Sequence, residues 1–277
     1  MRIYFSVMTI MLLFATVAYG QVDSTKVSVE VKIESSSDRT TEKEVYKRPV
    51  RVKTSWFSGF DLGFANFSDH TDYNSAEAQA FAPGSNTEWF DLKNGKSINV
   101  NIWVFQQKIN LIHTHLNLKY ALGLELNNYR YTNPIRFNKN QPYVSWDNTA
   151  DRTYRKNKLA ADYVNLPIML NVNFGNPSNR FASNEKHSGC GVKVDKGKEW
   201  GFSAGISIAY LYSARNKTIT SDEGKEKLKN NFNLNPWKLA YVGELNLGYF
   251  SIYGSYAFKS MFKNGLDMTP YTIGIRL

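Results

Sequence analysis

Between residues 116 and 126 apolar and polar side chains alternate without a break. Leu116, Leu118, Tyr120, Leu122, Leu124 and Leu126 hold one parity; Asn117, Lys119, Ala121, Gly123 and Glu125 hold the other. Successive side chains of a β-strand point to opposite faces, so this pattern predicts a strand with one oily face and one wet face. The same alternation returns along the chain. Residues 56–66 set Trp56, Phe60, Leu62 and Phe64 against Gly59, Asp61, Gly63 and Ala65. Residues 97–109 set Ile98, Val100, Ile102 and Val104 against Asn99, Asn101 and Trp103. Further strands are expected at about 114–130, 158–174, 199–213, 236–247, 250–259 and 270–277. Pro167 lies on the polar parity of the fourth strand and has no N–H for the ladder, so a bulge or local irregularity is expected there.

These eight segments predict an all-β fold, a transmembrane antiparallel up-and-down β-barrel with its greasy face in lipid. An even strand number returns both ends to one side. The connections 67–96, 131–157, 214–235 and 260–269 then fall outside the cell, and 110–113, 175–198 and 248–249 fall in the periplasm. Segment 175–198 is long for a periplasmic turn; an extra hairpin within it would raise the count to ten strands.

A leader precedes the pattern. Arg2, the apolar run Ile3–Ala18 and the small-x-small site Ala18-Tyr19-Gly20 predict a signal peptide over residues 1–20. Residues 21–55 are rich in Ser, Thr, Lys and Glu and are expected to form a periplasmic arm or linker, with the barrel at 56–277. Within the arm Val27, Val29, Val31 and Ile33 alternate with polar residues, a lone strand signal that would suit addition to a partner's sheet. No run of eighteen apolar residues follows residue 20, which argues against helical spans. The mean hydropathy of −0.43 is compatible with a barrel, because alternation hides apolar content from an average. Aromatic residues make up 14% of the chain; girdles at two membrane interfaces account for them, as would the core of a secreted sandwich. The formal charge of +10 suits contact with the phosphates of outer-membrane lipid and lipopolysaccharide, or a solvated basic surface. Nucleic acid is not expected as a partner of an exported chain. The single cysteine, Cys190, excludes an intrachain disulfide.

Phe60-Asp61-Leu62-Gly63-Phe64, Tyr120-Ala121-Leu122-Gly123-Leu124-Glu125, Tyr163-Val164-Asn165-Leu166-Pro167-Ile168, Gly201-Phe202-Ser203-Ala204-Gly205 and the closing Tyr271-Thr272-Ile273-Gly274-Ile275-Arg276-Leu277 resemble the PorT-like outer-membrane β-barrel proteins of Gram-negative bacteria. The resemblance covers roughly residues 56–277. It implies a barrel placed in the outer membrane by the barrel-insertion machinery, and some members of that family serve protein secretion. Leu277 stands where an aromatic residue is commoner in such barrels.

The polar parity collects charges of both signs: Asp61, Lys119, Glu125, Glu244 and Arg276. An eight-stranded barrel is just wide enough for side chains to fill it, so these groups are expected to pair and plug the lumen. A narrow conducting lumen is the alternative. In the second outer loop Tyr131, Arg136, Phe137, Tyr143, Trp146, Arg152 and Arg155 offer a contact surface for sugars, headgroup phosphates or a protein. Alternatively that loop continues the barrel as a hairpin whose aromatics pack on one another. Among His70, His113, His115 and His187 no nucleophile, base and metal set is complete, although His113 and His115 share a face and His70 lies beside Asp69 and Asp72. No catalytic, cofactor-binding or metal residue is assigned. The expected function is a non-enzymatic structural or interaction component of the cell envelope, with a protein partner, as in a secretion or envelope assembly; a lipid-modifying barrel enzyme is the alternative.

Overall fold

The computed structural model describes residues 52–112, 115–174, 200–248 and 250–276. The leader, the arm as far as Arg51, His113, the 175–198 connection with His187 and Cys190, and Leu277 lie outside the described residues. Eleven strands run in chain order: β1 (Val52–Asp69), β2 (Ile98–Ile112), β3 (Leu116–Arg130), β4 (Ile135–Phe137), β5 (Val144–Trp146), β6 (Tyr154–Asn173), β7 (Trp200–Thr220), β8 (Lys225–Lys229), β9 (Trp237–Leu247), β10 (Ser251–Ala257) and β11 (Met268–Arg276). A short helix, α1 (Ala76–Phe81), sits between β1 and β2.

Eight strands hydrogen-bond in a closed ring, β1–β2–β3–β6–β7–β9–β10–β11 and back to β1. The seam is antiparallel, from Asp61 opposite Arg276 to Asp69 opposite Met268. Closure leaves the ring without an exposed edge. β6 pairs directly with β7 from Tyr154–Thr220 to Asn173–Gly201, so the ring contains eight strands and not ten. Each expected strand is present.

The two faces of the ring are inverted relative to a water-soluble protein. Along β3, Asn117, Lys119, Glu125 and Asn127 are buried while the leucines between them are partly exposed. On β1, Asp61 is 0% exposed, whereas Phe60, Leu62 and Phe64 are 46%, 45% and 54% exposed. The wet face therefore lines the lumen and the oily face forms the outer wall. Two glycines let neighbouring backbone and large lumenal rings approach closely. A side chain on Gly63 would collide with the Ile273 carbonyl and the Tyr253 hydroxyl. One on Gly123 would meet the Ile102 carbonyl and the Trp103 ring.

Several boundaries differ from the sequence expectation. β1 begins at Val52, inside the expected arm, because Val52–Trp56 pairs with Phe105–Ile109. A bulge between Trp103 and Phe105 shifts the parity of β2. Phe105, not Val104, thereafter pairs with Leu122 and packs on Trp56 at 5.1 Å between ring centroids. At Pro167 the expected irregularity is present, not as a bulge, since its pairing with Ser207 keeps register, but as a lapse of the ladder to β3. The ladder to β3 lapses only between Tyr120–Ile168 and Gly123–Asn165, and the register is the same on both sides. β6 and β7 also run further than expected, to Tyr154 and Thr220. Their extensions alternate buried Asn157, Asn216 and Thr218 with lysines, so no oily row marks them.

The main cluster of buried apolar side chains lies at one end of the ring. The connections 70–97, 131–153, 221–236 and 258–267 supply Phe81 and Phe90, Ile135 and Phe137, Phe232 and Leu234, Phe262 and Leu266, and the ring strands add Tyr129, Leu159 and Tyr163 among others. α1 starts at Ser75, whose side chain accepts from the Ala78 N–H, with Glu77 favourably placed in its first turn. It delivers Phe81 to this cluster. β4 and β5 form a hairpin, Ile135 opposite Trp146.

Gly63→Val forces a side chain into the β1–β11 seam and is expected to lower the urea midpoint in detergent by an amount worth about 1–3 kcal/mol. Gly243→Ala meets nothing nearer than the Ser203 carbonyl at 3.9 Å and should stay within about 0.5 kcal/mol of the parent.

Candidate functional site

Two features of the barrel could carry function: the charged lumen and the aromatic cap above it. In the lumen, Arg276 of β11 clasps Asp61 of β1, its Nε 2.6 Å from Oδ1 and its Nη2 2.8 Å from Oδ2. The same guanidinium donates from Nη1 to Glu244 of β9. Glu244 also pairs with Lys119, which reaches across from β3. Glu125 of β3 pairs with Lys238 of β9. Neutral donors complete the set. Asp61 accepts from Trp103 Nε1 at 2.9 Å and Asn101 Nδ2 at 3.2 Å. Glu125 accepts from Asn127 at 2.9 Å and Asn165 at 2.8 Å. The Arg276 guanidinium lies 5.1 Å from the Trp103 ring and the Lys238 ammonium 5.0 Å from the Tyr163 ring, both within cation–π range.

All five sequence-predicted lumenal charges thus converge. Lys238 is the member the sequence analysis missed, although it stands on the polar parity of β9, six residues before Glu244. Three carboxylates face three cations. Burying such groups is costly, and their mutual attraction with extra hydrogen bonds offsets that cost. The ties Lys119–Glu244 and Lys238–Glu125 cross from β3 to β9, which are not neighbours in the ring. These side chains fill the cross-section rather than line a passage.

The cap corrects the view of the second outer loop as a contact surface. Tyr131 and Phe137 are buried, at 1% and 3% exposure, with ring centroids 5.6 Å apart. Tyr143 packs on Phe81 at 5.2 Å and Trp146 on Trp89 at 5.0 Å. The loop is a hairpin with its aromatics turned inward, because four connections meet over the ring and bury one another's apolar side chains. Arg136 and Arg152 are latches. Arg152 pairs with Asp147 at 2.9 Å, Asp222 at 2.7 Å and Glu223 at 2.9 Å. Arg136 pairs with Glu223, and with Glu226 at 2.9 Å. Together they tie the β4–β5 hairpin to the β7–β8 turn. Only Arg155 of the predicted set is exposed. Burial pushes the Asp147 carboxyl up, but hydrogen bonds from Thr149, Tyr154 and Arg152 outweigh it and hold the group well below the ordinary carboxylate range.

The histidines do not assemble a reaction centre among the described residues. His70 Nε2 lies 3.4 Å from Ser68 Oγ. Its neighbouring carboxylates are engaged elsewhere: Asp69 accepts from Thr71 and Tyr73, and Asp72 from Asn74. His115 Nδ1 meets the Asn173 carbonyl at 3.2 Å. Among the described residues no three His, Cys, Asp or Glu side chains come together as a metal site. The chain matches no model of a known protein family and no curated protein.

Glu244→Gln leaves Lys119 without its partner and is expected to cost about 3–5 kcal/mol. The double replacement Lys119→Met/Glu244→Leu removes both charges and should cost less than the single change; urea unfolding in detergent measures both. The cap carries a pH dependence. Asp147 titrates lower in the folded cap than in an unfolded chain, so its stabilisation is complete above about pH 4 and fades as pH falls further. Protease resistance of the cap loops should therefore persist at pH 5, drop near pH 2, and be weakened at pH 7 in Asp147→Asn.

Proposed function

We propose that this protein is a sealed outer-membrane β-barrel of the PorT-like kind, acting without catalysis or conduction as a structural or interaction component of the Gram-negative cell envelope. The observation that carries this reading is the inverted ring, with paired charges inside and large apolar side chains exposed outside. Among the described residues no helix is long and apolar enough to cross a membrane, so a span would be made by the strands.

The outer wall supports a lipid setting in two ways. The run Leu116–Leu126 on β3 covers about 33 Å of strand, or about 25 Å of depth at a tilt of about 40°, the height of an outer-membrane apolar band. Exposed aromatics gather near both ends of that band. Phe174 and Trp200 lie at the end that holds the β2–β3 turn, where Phe174 N–H donates to the Trp200 carbonyl. Tyr210, Trp237, Tyr241 and Tyr256 lie toward the capped end, with Tyr210 and Trp237 in contact at 4.9 Å. Trp56, Trp200, Trp237 and Tyr241 are each more than half exposed. Two aromatic belts flanking an apolar band are the pattern of a barrel at its two lipid interfaces.

In this reading the leader exports the chain, the barrel-insertion machinery places it, and the plugged barrel is a fixed anchor. The arm or the outer surface of the cap then meets a protein partner, in a secretion or envelope assembly. Reconstituted into planar bilayers, the purified protein is expected to give no stable conductance steps and to run as a heat-modifiable band on gels. Large uniform steps would refute the plug; a monodisperse protein in detergent-free buffer would refute the membrane setting.

A further inference from the structure

The outer wall carries a feature that the apolar band does not explain. At the capped end, four cations stand in register across four adjacent strands. Arg130 of β3 lies opposite Lys158 of β6, Lys158 opposite Lys217 of β7, and Lys217 opposite Lys227 of β8. Their strand neighbours Tyr129, Asn157, Leu159, Asn216 and Thr218 are buried toward the inside, so alternation turns the cations outward. The flanking pair on the same face is Arg215 opposite Lys229.

Like charges placed directly opposite one another repel, and the chain supplies little relief. The carboxylate of Asp162 on this face is taken by Arg215. Glu226 of β8 has the inward parity and pairs with Arg136. Among the described residues no carboxylate pairs with Arg130, Lys158, Lys217 or Lys227; Lys158 donates to Asn128 and Arg130 to the Arg155 carbonyl. Burial and the positive charges of Lys156, Lys217 and Arg215 bear on the Lys158 ammonium, and Asp162 offsets them only in part. A fold that keeps such a row unrelieved calls for an external anion.

We infer that this cationic row is a binding site for a phosphorylated glycolipid of the outer leaflet, of the lipid A type. The inference rests on the membrane setting proposed above and names one lipid for it. Arg130 follows Leu126, the last leucine of the oily row, by four residues, about 13 Å of strand or about 10 Å of depth at the same tilt, which places Arg130, the β3 member of the row, at headgroup depth above the acyl chains. Four strands set the row about 14 Å long, three interstrand spacings. That length exceeds one phosphate and matches a disaccharide headgroup bearing a phosphate at each end. The acyl chains of such a lipid would lie against Leu124, Leu126, Val164 and Tyr210 directly below.

The test uses the full chain in detergent and native mass spectrometry with four probes: bisphosphorylated lipid A, dephosphorylated lipid A, phosphatidylglycerol and inorganic phosphate. The parent is expected to retain bisphosphorylated lipid A in preference to the other three. The variant Arg130→Gln/Lys158→Gln/Lys217→Gln/Lys227→Gln should bind it at least about tenfold more weakly. A control, Lys259→Gln/Lys263→Gln in the β10–β11 connection, should bind as the parent does. Neutralising the row removes repulsion, so the variant should keep the heat-modifiable band. Equal binding of dephosphorylated lipid A or phosphatidylglycerol, displacement of lipid by millimolar phosphate, or unchanged binding by the quadruple variant would overturn the site. Loss of the heat-modifiable band in the parent itself would instead defeat the membrane setting.

Discussion

The architecture depends on ion pairs that let a protein turn its polar side inward. An ordinary domain hides oily side chains and leaves charges to water; here Asp61, Glu125 and Glu244 are buried with Lys119, Lys238 and Arg276. Each carboxylate reaches a cation and, for Asp61 and Glu125, neutral donors as well. If one member lacked its partner, the lumen would hold an uncompensated charge in a poorly solvated space. Because Lys119–Glu244 and Lys238–Glu125 run between strands three positions apart, these contacts also brace the ring against collapse. Gly63 and Gly123 serve this arrangement, since they let Tyr253 and Trp103 occupy the space left between the ion pairs.

With the lumen polar, apolar packing of the usual kind moves elsewhere. It gathers in the cap, where four long connections contribute rings to one cluster. Arg136 and Arg152 then fasten the rim of that cap through Asp147, Asp222, Glu223 and Glu226. Loops held this way present one shaped surface at the end of the ring. The cationic row lies just outside this cap on the wall, beyond the last leucine of the oily row on β3.

Much of this was legible in the sequence, because strand alternation is a local signal and the inside and outside of a barrel differ sharply in chemistry. The eight ring strands and the five lumenal charges follow from parity alone. What parity does not reveal is equally physical. A bulge changes the face of every residue after it, as at Trp103–Phe105, without any special residue to announce it. The extended ends of β6 and β7 have lysine outside and Asn or Thr inside, so neither face reads as oily. Tyr131, Phe137, Arg136 and Arg152 have the composition of a contact surface, yet their burial and pairing depend on residues far along the chain, such as Phe232, Asp222 and Glu223. Lys238 shows the same limit. Its parity was plain, but its partner Glu125 lies on a strand three positions away around the ring.

The inversion itself can be measured with tryptophan fluorescence in vesicles whose acyl chains carry bromine, using variants that retain a single tryptophan. Trp103 donates to Asp61 inside the lumen, while Trp56 and Trp237 project from the outer wall. Brominated chains should strongly quench Trp56 and Trp237 and leave Trp103 nearly as bright as in unlabelled lipid. Equal quenching of all three, or quenching of Trp103 alone, would contradict a barrel that faces lipid with its oily side and seals its charges within.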